Sequence, residues 1–234
     1  MSIKSQMTIV GKLPKPLRVK VIRKKVDEYI DKYANLKVEG KENLKGIEGP
    51  IIFISNHLSN SDGIFINNEL EEYKPVFVAG EKLSHNKFTS LILELIECVM
   101  IKPNSADKDA IAAVINKLKS GRNIMIFPEG TRSRDGKMIE AKKGIILIAK
   151  LTKATIVPIG LTDTEKFLPI NPEGSMEEEK ICSANVTMKI GKPFKLPAKT
   201  KEETREEYHT RAMWEIMTSI SKLLPEEYRG YYSL

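Results

Sequence analysis

Little in this chain of 234 residues is suited to hold a metal ion, staple a small fold or cross a bilayer. Its three histidines and two cysteines are scattered, Cys98 in an apolar run and Cys182 in a polar-flanked stretch, without the spacing of a zinc site. Two such cysteines give no disulfide framework, so a reducing, cytosolic setting is expected. No apolar run approaches the roughly 20 residues that span a bilayer, and no signal peptide with an apolar h-region opens the sequence. The expectation is a protein neither secreted nor anchored by a spanning helix. Internal repeats and low-complexity tracts are missing too. Although the chain is basic, it has no recognised nucleic-acid motif and no basic stripe interleaved with aromatics, which are 6% of residues, so nucleic acid is excluded as a partner.

What is present is the composition of one globular α/β domain, 41% hydrophobic and 29% charged. The formal charge of +7 is unevenly placed, because residues 1–35 hold nine Lys or Arg against three acidic residues. After Pro14 and Pro16, Val19, Ile22, Val26, Ile30 and Tyr33 fall on one helical stripe with basic flanks. Two readings stay open for this basic amphipathic segment. One is an ordinary helix packed on the domain with a solvated charged face; the other is a helix lying in the headgroup region of anionic lipid. Residues 36–234 would form the domain proper.

Two short stretches carry chemistry. In Pro50–Asp62, PIIFISNHLSNSD, the apolar run Ile51–Ile54 breaks into polar side chains, as when a buried strand of an α/β sheet delivers residues to its carboxyl edge. His57 is followed five positions later by Asp62, placed at or near the start of a helix over 63–72. A carboxylate on one ring nitrogen fixes the imidazole tautomer and leaves the other nitrogen as a base for a hydroxyl. The second stretch is Phe127–Ser133, FPEGTRS, after the apolar run Asn123–Phe127. Pro128 stops the strand and Gly130 permits an unusual turn, so Glu129, Thr131, Arg132 and Ser133 are presented in a strand-end loop. A planar guanidinium there can grip a phosphate bidentately.

These two blocks together resemble the glycerolipid acyltransferase family that includes 1-acylglycerol-3-phosphate acyltransferase. The resemblance covers roughly Leu36–Leu196, with Ile156-Val157-Pro158-Ile159 as a weaker third block. It implies transfer of an acyl group from a thioester, acyl-CoA or an acidic acyl carrier protein, to a lysophospholipid hydroxyl. The acceptor expected first is 1-acylglycerol-3-phosphate, with another lysolipid or glycerol phosphate as alternatives. His57 would be the base, Asp62 its orienting partner, and Glu129, Gly130, Thr131, Arg132 and Ser133 the acceptor site, with no bound cofactor or metal. The place of action would be cytoplasmic, peripheral on an anionic membrane at the inner face of the cell. The chain departs from the family at Ala79-Gly80-Glu81-Lys82 and Ile101-Lys102-Pro103, where the family often has a lysine straight after an alanine and an Ile-Asp-Arg. Those basic roles are assigned to Lys82 and Lys102. A lipid hydrolase using the same His and Asp is the runner-up. The lack of a GxSxG elbow agrees with direct transfer, and Ser59 is read as capping a turn.

Elsewhere, strands are expected at Val76–Ala79, Cys98–Ile101, Thr155–Leu161 and Asn185–Ile190, alternating with helices in a mostly parallel sheet. The helix over 86–97 would bury Phe88, Leu91, Ile92, Leu95 and Ile96 or line an acyl-chain channel with them. Ser105 would cap the helix over 106–120, and a further helix would run over 139–152 with Lys142 and Lys143 on its approach. Pro158 suggests an edge strand or a bulge. Residues 176–180 read as an acidic surface run, and Trp214 as core of a helix over 201–224.

Overall fold

In the computed structural model, which describes residues 10–85, 87–102, 107–171 and 179–234, the apolar runs before the two motifs become adjacent parallel strands. The elements in chain order are α1 (Lys15–Tyr33), β1 (Lys37–Glu39), β2 (Ile51–Ser55), α2 (Asp62–Glu69), β3 (Val76–Gly80), α3 (Lys82–His85), α4 (Lys87–Leu93) and β4 (Cys98–Ile101). There follow α5 (Lys108–Lys119), β5 (Ile124–Ile126), α6 (Gly144–Thr152), β6 (Thr155–Thr162), α7 (Thr164–Phe167), β7 (Thr187–Ile190), α8 (Arg205–Ser221) and α9 (Glu226–Arg229). The sheet order is β1-β7-β6-β2-β5-β3-β4, with β6–β7 its antiparallel pair. This is the expected single α/β domain with a mostly parallel sheet flanked by helices.

Strand alternation divides the core between the two sheet faces. Ile52, Ile54, Ile124 and Ile126 point to one side, where α5, α6 and α8 contribute Val114, Ile145 and Ile216. Ile51, Phe53 and Met125 point to the other, against Phe65 and Ile66 of α2. Burial on both faces explains why these strands read as unbroken apolar runs. Because β2 pairs with β5 in register Ile54↔Ile126, their carboxyl ends lie side by side. The two motifs therefore meet although 72 residues separate His57 from Glu129.

Several expectations are corrected. β6 is interior, between β7 and β2, so Pro158 marks no edge. It does mark a register slip: Ile156 faces Phe194 while Ile159 faces Ile190, two residues on one side against three on the other. The helix expected from residue 139 starts at Gly144, because the amides before it are claimed elsewhere. Met138 N donates to Tyr228 O at 2.8 Å, Ile139 N to Glu129 Oε2 at 2.9 Å, Ala141 N to the Tyr232 hydroxyl at 3.0 Å and Lys142 N to Pro128 O at 2.8 Å. The cap of α5 is Asp107, which accepts from Ala110 N at 3.0 Å and Lys102 N at 2.9 Å; Ser105 lies outside the described residues. Trp214 is 44% exposed and does not join the core, whereas Ile216, Met217 and Ile220 on the same helix do.

The basic segment is a helix, α1, and its stripe faces the body of the protein: Ile22 is buried, and Ile30 and Tyr33 pack against the core. Arg18 donates to both carboxylate oxygens of Glu94 at 2.8 Å, fastening α1 near the end of α4. No described helix is long and apolar enough to cross a membrane.

Candidate active site

The carboxyl end of β2 is built to hold one ring still. Asn56 is buried and exchanges two hydrogen bonds of 2.9 Å with the backbone of Leu161 on β6, pinning the strand end. Asp62 opens α2 fully buried, and its Oδ2 accepts from Leu58 N at 2.7 Å and Ser59 N at 2.9 Å. The same oxygen lies 2.7 Å from His57 Nδ1. An ionised carboxylate accepts only, so Nδ1 carries the proton and Nε2 keeps its lone pair. Ser59, also buried, donates to Leu168 O at 2.9 Å and accepts from Ser61 N at 3.2 Å, which is the turn-capping expected of it.

The second motif encloses His57 from the β5 side. The Phe127 ring stacks on the imidazole with centroids 4.1 Å apart and planes 18° from parallel. Ser133 N donates to His57 O at 2.8 Å, and Glu129 Oε1 accepts from His57 N at 2.9 Å. Glu129 is completely buried, and its other oxygen takes Ile139 N. Burial pushes this carboxyl up to about 7 despite the two amide donors, which favour its ionised form. Gly130 adopts φ +72°, and a Cβ there would lie 3.2 Å from Lys142 Cγ, so the turn depends on glycine.

A cavity of about 1350 Å³ opens beside His57, whose side chain remains 21% exposed. Its walls are mostly apolar: Val26 and Ile30 from α1, Leu91 and Ile92 from α4, and Val114 and Ile148 from the core side. Leu91 and Ile92 are only partly buried and line this space, a cavity wall instead of core, whereas Ile96 both lines it and packs against the core as expected; Asn86 and the side chain of Phe88 lie outside the described part. Among the residues expected to bind substrate, Gly130 and Lys102 line the cavity. Lys142 and Lys143 line it as well, exposed at the approach to α6.

Glu129, Thr131, Arg132 and Ser133, also expected to bind substrate, do not line it. Glu129 and Ser133 are buried and bound to the backbone of His57, so both hold the strand end that carries this ring; the Ser133 hydroxyl is also bound to Asp135 at 2.8 Å. Thr131 is exposed outside the cavity lining. Arg132 is paired with Glu179 at 2.9 Å. Lys82 opens α3 directly after β3, and its side chain lies outside the described part of the structure. Glu179 does not belong to an acidic surface: its side chain is 3% exposed, and it lines the cavity. Residues 176–178 of that expected run fall outside the described residues. Sequence reasoning gave no sign of Glu179 or of the part Phe127 plays, because each acts through a partner distant in the chain. Among the described residues no three metal-ligating side chains cluster.

The model of the Acyltransferase family matches residues 35–162, from just before β1 to the last residue of β6. The chain belongs to this family. A 1-acyl-sn-glycerol-3-phosphate acyltransferase of Bacillus subtilis is 30% identical over 61% of this chain and 70% of its own length. A chloroplastic 1-acyl-sn-glycerol-3-phosphate acyltransferase of Arabidopsis thaliana is 30% identical over 69% of this chain. This chain spans 44% of that plant protein's length and 52% of a Borreliella burgdorferi relative of the same name. The crystal structure of the 1-acyl-sn-glycerophosphate acyltransferase PlsC from Thermotoga maritima shares the fold, with a TM-score of 0.61 and 24% identity over 92% of this chain and 86% of that one. The family match contains both motifs, so the acyltransferase region spans β1–β6, while α8 completes the core on one face of the sheet and β7 contributes Met188 and Ile190 to the other.

Proposed function

We propose that this acyltransferase moves a fatty acyl group from a thioester, acyl-CoA or acyl carrier protein, to the hydroxyl of a lysophospholipid, 1-acylglycerol-3-phosphate first among them, in phospholipid synthesis. The observation that carries the reading is an imidazole whose Nδ1 lies 2.7 Å from the Asp62 carboxylate, at the edge of a large apolar cavity. His57 Nε2 takes the acceptor's hydroxyl proton as the oxygen attacks the thioester carbonyl. When the carbon–sulfur bond breaks, the proton passes from His57 to the departing thiolate. Asp62 stabilises the imidazolium that exists between the two transfers. The apolar walls suit an acyl chain, and Lys102, Lys142 and Lys143 set positive charge where an anionic headgroup or the donor's phosphates would approach.

The setting we infer is the surface of an anionic membrane. Lys20 and Lys24 are exposed on α1, whose apolar stripe faces inward. Its contact with lipid is then chiefly electrostatic, through these cations together with the exposed Leu17.

Mass spectrometry of products from a panel of lysolipids, each offered acyl-CoA and acyl carrier protein donors, tests the function. A diacyl product from lysophosphatidate is expected. Free fatty acid released at the same rate without an acceptor would identify a hydrolase instead.

A further inference from the structure

The acid that faces the cavity has no part in the transfer chemistry. Glu179 Oε1 accepts from Arg132 Nη1 at 2.9 Å, and its Oε2 accepts from Asn60 Nδ2 at 2.7 Å. Asn60 comes from the first motif and Arg132 from the second, so one carboxylate bridges both. Glu179 and Asn60 line the cavity; Arg132, 18% exposed, does not. The guanidinium that would meet a phosphate thus already has its charge matched, by an acid on the cavity side.

A carboxylate whose two oxygens are held by a guanidinium and an amide N–H presents the pattern that two phosphate oxygens would present to the same donors. We infer that Glu179 is a specificity-determining residue that occupies the seat of the acceptor's phosphate, so an anionic headgroup reaches Arg132 and Asn60 only by displacing it. The inference rests on the reading of this cavity as the site of a phosphate-bearing lysolipid. A headgroup without charge offers Arg132 nothing to replace the ion pair, and moving the buried acid off this partly buried arginine without replacement is costly. A phosphate brings more negative charge than the carboxylate it displaces and restores both hydrogen bonds. A neutral headgroup therefore leaves the pair in place and gains nothing from Arg132, whereas every anionic one meets Arg132 at the constant cost of displacing Glu179.

The test is calorimetric titration of glycerol 3-phosphate, with glycerol as the uncharged control, into the full chain and its Glu179→Gln variant, each with and without Arg132→Gln. Thermal melts establish that the variants are folded. E179Q should bind glycerol 3-phosphate roughly 10- to 150-fold more tightly, the worth of one charge-assisted contact. Glycerol binding should not change, and the gain should vanish when Arg132 is also replaced. Unchanged or weaker binding in folded E179Q would mean that Glu179 orients Arg132, and it would overturn the inference. So would a gain that survives the loss of Arg132. Should E179Q not fold, Glu179→Asp keeps the charge but is one methylene short, and it must shift affinity in the same direction. These titrations use no acyl donor, so the competition is decided independently of whether any lysolipid is acylated.

Discussion

At the end of β2, buried side chains hold a turn and leave one group, His57, with a nitrogen for chemistry. At the end of β5, the polar groups expected to meet substrate are mostly turned back on the protein: Glu129 and Ser133 grip the backbone of His57, Phe127 supports its ring, and Arg132 is matched by Glu179. Two loops with the same relation to neighbouring parallel strands divide the work, one presenting His57, the base of the proposed mechanism, and the other holding its backbone and ring in register.

The comparison is broken most sharply at His57. His57→Ala should lower turnover by about 10² to 10⁴ while acceptor affinity stays close to normal, the contribution of a general base; near-native turnover in the folded variant would remove the mechanism. Asp62→Asn should be nearly as severe, since an amide can hold the wrong imidazole tautomer and also faces the Leu58 and Ser59 amides. Steady-state kinetics with lysophosphatidate measures both.

Arg132 sharpens the contrast, because it is the group of the second motif that would act on substrate. Arg132→Ala should raise the KM of a phosphate-bearing acceptor roughly 10- to 150-fold, the span of a charge-assisted contact of about 1.5 to 3 kcal/mol. Donor KM should move little. An equal proportional loss on an uncharged lysolipid would make Arg132 another brace.

Glu129 tests the supporting role directly. Glu129→Gln leaves one of its two amide partners facing an NH₂ group and should cost about 1 to 3 kcal/mol of stability, with turnover falling more than acceptor KM rises. Its pH signature has a definite sign. The folded chain holds the Glu129 proton to about 7, against an ordinary 4.5. The contribution of this group is therefore complete below 4.5 and is lost as pH rises through 7. Thermal melts between about pH 5 and pH 8 should fall more steeply for the natural chain than for the Gln variant. Parallel slopes would show that Glu129 is ionised throughout.

The smallest effect lies farthest from both loops. Lys20→Glu with Lys24→Glu should weaken flotation with anionic vesicles, each lysine near the surface contributing about 1 kcal/mol. Turnover on detergent-dispersed substrate should be spared. Deleting α1 would be a poorer test, because Ile22 is buried and Val26 and Ile30 line the cavity. Vesicle binding unchanged by the double substitution would remove this helix from the proposed membrane contact.

The sequence exposed whatever depends on local order. Apolar runs identified the buried strands, and the five-residue step from His57 to Asp62 fits within one turn, so their pairing could be foreseen. Polar residues with distant partners were opaque. Nothing near Glu129 announces that its ligands are the amides of residues 57 and 139, and nothing near Glu179 points to Arg132, 47 residues away. The same limit explains the late start of α6: Ile145, Ile146 and Ile148 have helical spacing, but residues 138–142 have their amides drawn to Tyr228, Glu129, Tyr232 and Pro128. Apolar spacing on α4 and α8 marked a face without saying what it meets, whether core, cavity or, for Trp214, solvent.

The clasp between residues 138–141 and the tail at Tyr228–Tyr232 sets an order of events during synthesis. A chain emerging from the ribosome amino end first presents β2, His57 and Asp62 early, and the FPEGTRS loop well before the tail exists. Tyr228 and Tyr232 arrive some ninety residues after the stretch they fasten. Until then the Met138 and Ala141 amides lack these partners, and Ile139, which lies between them, has no fixed place from which to hold Glu129. The backbone of His57 therefore depends on contacts that the tail makes some ninety residues beyond residues 138–141, and a chain cut short of Tyr228 should carry every residue of both motifs with reduced activity in a turnover assay.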